Sequence, residues 1–217
     1  VGFCDIILVS ALKLYAGPLE RPRLNGGLLP RVALGLRASG SHTVVFDDVV
    51  FPLDYEIDVR KPDDWKVPDV TQATVHAIFV AAIYDGIARA ARDWLVKFLK
   101  ERVPANLGAP LATLPRMQEV AGGIEARLAV NARLIDSFAS DFDNGFPLSA
   151  IESNIIKLTV TNNAAAVVED ALSLTSNHGL SRTNPLERHY RDVLCGRVHT
   201  PQDDSTRVAA GRFALGV

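Results

Sequence analysis

The chain has 217 residues, 48% hydrophobic and 22% charged, and its 23 Lys+Arg against 25 Asp+Glu give a net charge of −2. That balance excludes a disordered chain and lacks the basic excess with which nucleic-acid binders hold phosphate. The two cysteines, Cys4 and Cys195, stand at opposite ends without metal-ligand spacing, so neither a metal site nor a disulfide framework is expected. Such cysteine usage fits a reducing, cytoplasmic compartment.

The most apolar stretches, Cys4–Leu12 and Ala77–Tyr84, are too short to span a bilayer, so no membrane partner is expected. The opening Val1-Gly2-Phe3-Cys4, without Met, charged n-region or cleavage site, reads as an internal fragment or a processed piece.

In chain order, residues 1–68 read as β. Turn signals at Gly17-Pro18, Arg21-Pro22, Asn25-Gly26-Gly27 and Pro30 precede a β-branched run, His42–Phe51, that predicts a strand. From residue 69 the period changes. Phe79, Ile83, Ile87, Ala90, Trp94 and Phe98 recur at steps of three and four, predicting a helix from about 70 to 102. Val120, Ile124, Leu128, Ile135 and Phe138 predict a second, and Ile151, Ile155, Leu158, Asn162, Ala165 and Leu172 a third. The third opens on Ser149-x-x-Glu152, a capping box in which side chains and free backbone N–H groups pair reciprocally. Asn184-Pro185-Leu186-Glu187 announces a fourth, with Asn as cap and Pro at the first helical position. Three long helices and a shorter one on short connections predict an antiparallel bundle over 69–217, after a partial β domain over 1–68. Ile156 and Val160 beside Ile155 and Leu158 make the third helix apolar on more than one face, as a buried or interface helix would be.

Ala171-Leu172-Ser173-Leu174-Thr175-Ser176-Asn177-His178-Gly179, followed by Pro185-Leu186-Glu187-Arg188-His189-Tyr190-Arg191-Asp192, resembles the C-terminal region of the acyl-CoA dehydrogenase superfamily. Gly35-Leu36-Arg37-Ala38-Ser39-Gly40-Ser41 with Val45–Val49 resembles the end of that superfamily's middle β domain. Glu101-Arg102 with Leu107-Gly108-Ala109-Pro110-Leu111-Ala112 resembles its E-R-x-x-F-G-x-P-x-A segment, with two extra residues. The resemblance implies a mainly α fold: the end of the middle domain, then the C-terminal four-helix bundle, with the superfamily's N-terminal helical domain absent from this stretch. It also implies a flavin, FAD or FMN, and an oligomer, a homotetramer or homodimer. Arg102 is implied at the flavin pyrophosphate, and Ser173, Ser176, Asn177 and Gly179 stand where the superfamily holds the adenine half.

Two departures bear on the reaction. The position of the proton-abstracting glutamate holds Thr200, whose hydroxyl is no base near neutral pH. Losing a positioned base costs about 100- to 10,000-fold in rate. Asp203, Asp204 or His76 are candidates for a relocated base. Arg188, Arg191-Asp192 and His199-Thr200-Pro201 are similar to the R-x-x-R-[DN] and H-x-P of the reduced-flavin-dependent monooxygenases, the dibenzothiophene and hydroxyphenyl type. That branch implies His199 at oxygen activation, an aromatic or small apolar substrate, and a separate flavin reductase as partner. The expectation is therefore a flavin-dependent oxidoreductase, a monooxygenase before an acyl-CoA dehydrogenase with a relocated base. A non-catalytic helical assembly fragment is the alternative from another class. Arg188, Arg191 and Asp192 are expected to pin the last helix through ion pairs.

Overall fold

The computed structural model describes residues 28–29, 34–37, 43–44, 69–147 and 149–217. The chain divides into two compact units, 1–33 with 37–69 and 34–36 with 70–217. In the first, β1 (Leu28–Leu29) pairs antiparallel with β2 (Thr43–Val44), Leu28 opposite Val44. Cys4, the remainder of the expected strand His42–Phe51 and residues 38–41 of the Gly35–Ser41 turn lie outside the described residues.

The second unit contains α1 (Val70–Glu101), α2 (Pro115–Asp143), α3 (Ala150–Thr175), α4 (Leu186–Val193) and α5 (Asp203–Leu215). The start signals act in part as the sequence predicts: the Ser149 half of the capping box forms, and the fourth helix begins at Leu186 with Pro185 rather than Asn184 in the capping position. Ser149 Oγ accepts from the Glu152 amide at 3.2 Å, and Asn184 Oδ1 accepts from the Leu186 amide at 3.1 Å.

Polar cross-links fix the directions. Asn131 Nδ2 donates to Asp85 Oδ1 at 2.9 Å and Arg92 to Glu125 at 2.6 Å, so α1 and α2 run antiparallel. Asn163 donates to Asn131 Oδ1 at 2.9 Å and Arg127 to Asp170 at 2.7 Å, so α3 reverses again. α4 and the 3₁₀ turn Leu194–Arg197 then run back along α1 and α3, from Gly179, against which Leu186 packs, to Gly196 beside Thr161 and Tyr84. This is the expected antiparallel four-helix arrangement. α5 is an addition that the sequence reading did not contain.

The core registers differ from those expected. On α1 the buried face is Ala77, Val80, Ala81, Tyr84, Ala88, Ala91, Leu95 and Leu99, whereas Phe79 and Ile83 are 66% and 56% exposed. On α3 it is Ser153, Ile156, Val160, Ala164, Ala165, Val167, Val168 and Ala171; of the expected stripe Ala165 is buried and Ile155 exposed. The cause is side-chain size. Alanines let the α1 and α3 backbones approach closely, and that contact excludes the bulkier neighbouring stripe. α2 keeps most of its expected stripe, with Val120, Ile124, Leu128 and Phe138 buried and Ile135 partly so. Each fully buried Leu or Ile here contributes about 1.5–3 kcal/mol. As a whole, α1 is long and apolar enough by length and composition to cross a bilayer, although its inward face packs in the bundle and carries Asp85.

Candidate active site

The sequence-named residues separate into two clusters. One gathers at the start of α1, the middle of α3 and the link from α4 to α5. The 3₁₀ turn Leu194–Arg197 ends with the Val198 and His199 amides donating to the Cys195 carbonyl, which turns the half-buried His199 toward α1. There Tyr84, fully buried, brings its hydroxyl 3.2 Å from His199 Nδ1, the two rings edge to face. The exposed His76 lies 6.2 Å from the His199 ring, also edge-on. From α3, Lys157 donates to the Gly196 carbonyl at 2.6 Å and meets Asp203 Oδ1 at 3.4 Å, while Asn162 donates to Asp203 Oδ2 at 2.9 Å.

Electrostatics follow from this geometry. Burial, then the neighbouring Cys195 and Asp192, raises the Tyr84 phenol well above its ordinary value. The phenol therefore stays protonated. Burial, then the His76 and Lys157 charges, lowers His199 below 6.5, so its imidazole is neutral at pH 7. Tyr84 Oη and His199 Nδ1 share one hydrogen bond, and where the phenol donates, the ring hydrogen stands on His199 Nε2.

The candidates for a relocated base fare differently. Asp203 is buried and committed to Lys157 and Asn162, so it is not a free carboxylate. Asp204 is exposed in the first turn of α5. Thr200, at the glutamate position, is exposed, and the peptide between it and Pro201 is cis.

The second cluster lies at the other end of the bundle. The His178 ring sits 5.4 Å from Phe98, which stacks on Trp94, and thereby places Ser173, Ser176, Asn177 and Gly179 near the end of α1 where Arg102 stands. Tyr84 and Phe98 are 14 residues apart on α1, about 21 Å at 1.5 Å per residue, so within one chain Arg102 is not brought to His199. The exposed Arg102 guanidinium has no ion-pair or hydrogen-bond partner among the described residues. A free, permanently charged fork of donors fits a phosphate-bearing group. Ser173 Oγ is spent on the Asp170 carbonyl, whereas Ser176 and Asn177 are exposed. Gly179 has a packing reason to be glycine, since a Cβ would run into Thr175 Oγ1 and approach Leu172 Cδ1 to 2.8 Å.

Of the residues expected to pin this helix through ion pairs, Arg191 pairs at 2.8 Å with Glu187 of the same helix, and Asp192 accepts from the Leu36 amide. Tyr84 and Lys157 escaped the sequence reading. A signal for Lys157 was present, since it is a lone cation within Ile155-Ile156-Lys157-Leu158.

Comparison with known proteins gives the family. Residues 69–204 match the acyl-CoA dehydrogenase, C-terminal domain. The chain belongs to the acyl-CoA dehydrogenase family. YdbM of Bacillus subtilis, provisionally named an acyl-CoA dehydrogenase, is 32% identical over 83% of this chain and 47% of its own. L-evernosamine nitrososynthase of a Micromonospora species is 35% identical over 85% of this chain and 45% of its own. The solved butyryl-CoA dehydrogenase of Megasphaera elsdenii superposes with a TM-score of 0.73 at 23% identity, covering 88% of this chain and 48% of that one, which supports the fold. The chain spans about half the length of the curated relatives it matches. Among these names acyl-CoA dehydrogenase recurs. The dibenzothiophene and hydroxyphenyl monooxygenase branch finds no support in them, nor does FMN, so by name the dehydrogenase alternative fits the acyl-CoA dehydrogenase family better.

Proposed function

We propose that this chain is the C-terminal part of a flavin-dependent oxidoreductase in which His199 presents a neutral imidazole to the reacting end of the site. The observation that carries this reading is the 3.2 Å contact between the Tyr84 hydroxyl and His199 Nδ1, which supports a ring whose Nε2 carries the hydrogen when the phenol donates. A flavin supplies the electron chemistry when bound. This chain's residues hold and place a donor; Thr200 and the locked Asp203 supply no carboxylate base. Such a donor stabilises negative charge growing on an oxygen, because it is fixed before the charge develops. Such a donor would serve a monooxygenase acting on an aromatic or small apolar substrate with reduced flavin from a separate reductase, and it would equally serve the thioester oxygen of an acyl-CoA. The nitrososynthase name of one relative, which denotes formation of a nitroso group, agrees with oxygen chemistry.

The second reading is an acyl-CoA dehydrogenase, which the names of the relatives favour. It needs a proton acceptor elsewhere than Thr200; the candidate is His76, which is exposed and has its ring 6.2 Å from that of His199. In either reading the cofactor is FAD rather than FMN, because Arg102 stands where the resemblance puts a pyrophosphate and FMN has none. The separation of Arg102 from His199 fits an oligomer in which the two clusters of one chain serve different flavins.

The test uses the full-length protein with FAD. Chemically reduced FAD that takes up oxygen into an organic product, with the yield falling at least tenfold in His199→Ala, supports the oxygenase. Anaerobic bleaching of oxidised FAD by an acyl-CoA, abolished in His76→Gln and retained in His199→Ala, moves the assignment to the dehydrogenase.

A further inference from the structure

We propose that Lys157 is a positioning residue for His199, clamping both ends of the segment that carries it. The proposal rests on the reading that His199 is the reacting-site imidazole.

The Lys157 side chain is 0% exposed. Burying an ammonium is unfavourable, and a methionine would fill a similar volume without the penalty, so stability alone does not explain a lysine here. Its partners do. One bond goes to the Gly196 carbonyl, three residues before His199, and one to Asp203, four residues after it. Residues 197–202 thus hang between two anchors on a single ammonium. Asn162, five residues further along α3, donates to the second oxygen of Asp203 and prevents that carboxylate from rotating away.

Packing completes the clamp. A Cβ on Gly196 would lie 3.1 Å from Thr161 Cβ and 3.4 Å from Tyr84 Cδ1, so the anchored carbonyl is held against the helix that presents Tyr84. The hydroxyl of the same tyrosine lies 3.2 Å from His199 Nδ1. Lys157 therefore acts on the imidazole through the backbone at Gly196, and also through space. The groups facing His199 are Tyr84 and His76 from α1, Lys157 from α3 and, next to Lys157, Asp203 from α5. An ammonium here opposes protonation of the ring.

The experiment compares the full-length protein with Lys157→Met and Lys157→Met/Asp203→Asn, following His199 by histidine-selective NMR alongside thermal unfolding and the pH profile of turnover. Lys157→Met leaves the Asp203 charge unpaired and is expected to unfold more easily; the double variant removes both charges and recovers most of that loss. In both, the His199 titration is expected to move up toward 6.5, its Nδ1 signal to lose the Tyr84 bond, and turnover to fall at least tenfold with the acid limb of the profile shifted the same way. If Lys157→Met does not fold, the double variant carries the same readouts. A double variant with parent titration, parent pH profile and parent turnover overturns the proposal, because Lys157 would then be structural only. Failure of the underlying reading looks different: His199→Ala keeps turnover, while the His199 titration still answers whether Lys157 positions the ring.

Discussion

The Leu36 amide donates to Asp192 Oδ1 at 2.6 Å across 156 residues of sequence, and Arg191 beside it takes the Leu34 carbonyl at 2.8 Å. Between these bonds Gly35 sits so close to α4 that a Cβ would run into the Arg191 carbonyl. The paired Arg191-Asp192 therefore fastens a short segment upstream of the bundle. Asp192→Ala should lower stability by about 1.5–3 kcal/mol, the range for a hydrogen bond to a charged group. Asp192→Asn, which keeps an acceptor oxygen, should lose less than half as much. Urea unfolding with an unchanged slope checks both; equal losses would mean that the charge and not the bond matters.

Gly179→Ala tests packing against cofactor contact at a position where the family resemblance and the structure give different reasons for glycine. The added Cβ collides with Thr175 Oγ1 and crowds Leu172, so a loss of about 1–3 kcal/mol is expected from overpacking. Denaturant midpoints measure it, and FAD titration should show an unchanged affinity for the folded fraction. A weakened affinity at parent stability would give Gly179 back to the cofactor.

How far the sequence carried can be read from particular residues. Caps are local chemistry, and Ser149 and Asn184 act where their types require. Core register is not local. α1 and α3 carry apolar residues around much of their circumference, so periodicity offers two stripes, and only the partner helix selects the alanine-rich one over Phe79 and Ile83. α5, Asp203–Leu215, opens on two aspartates and mixes polar with small residues, a weak pattern from which no helix was read. At the candidate site, a His-x-Pro motif singles out His199, whose role is a proposal. Tyr84 and Lys157 were hidden because each sits on an apolar stripe, and what gives them a role is a turn more than 35 residues further along the chain.

Arg102→Ala should weaken FAD binding by about 10- to 100-fold, the worth of hydrogen bonds to a charged group, while leaving stability unchanged because its side chain is exposed and spans no contact among the described residues. Arg102→Lys should recover part of the affinity as a point charge without the fork. Isothermal titration with FAD and with FMN reads this out. An effect of equal size on FMN, which lacks the pyrophosphate, would remove Arg102 from the assigned contact.

Acid stability should follow the two depressed histidines. His199 is held below 6.5 by burial, then by His76 and Lys157, and His189 by burial, then by Arg188, with Asp192 opposing. Between the folded values and 6.5 the unfolded chain binds more protons than the folded one, so stability rises with pH through that window. The contribution is complete above 6.5 and is lost as pH falls from 6.5 toward the folded values. Unfolding free energies measured from pH 5 to 8 should show this slope, and His199→Gln and His189→Gln should each flatten it. A slope that survives both substitutions would place the acid sensitivity in the carboxylates.

Tyr84→Phe isolates the hydroxyl from the ring. The ring is fully buried among Val80, Ala88 and the residues around Gly196, and phenylalanine keeps that packing, so stability should change by about 1 kcal/mol or less. Without the Tyr84 hydroxyl the ring loses that bias, and the ratio of its two neutral tautomers should relax toward that of an unconstrained histidine. Nitrogen NMR of the imidazole distinguishes them directly, because protonated and bare ring nitrogens resonate far apart. If His199 acts as a donor through Nε2, turnover should fall in step with the Nε2–H population rather than with total neutral imidazole. A variant whose tautomer ratio shifts while turnover holds would show that the reaction does not draw on that hydrogen.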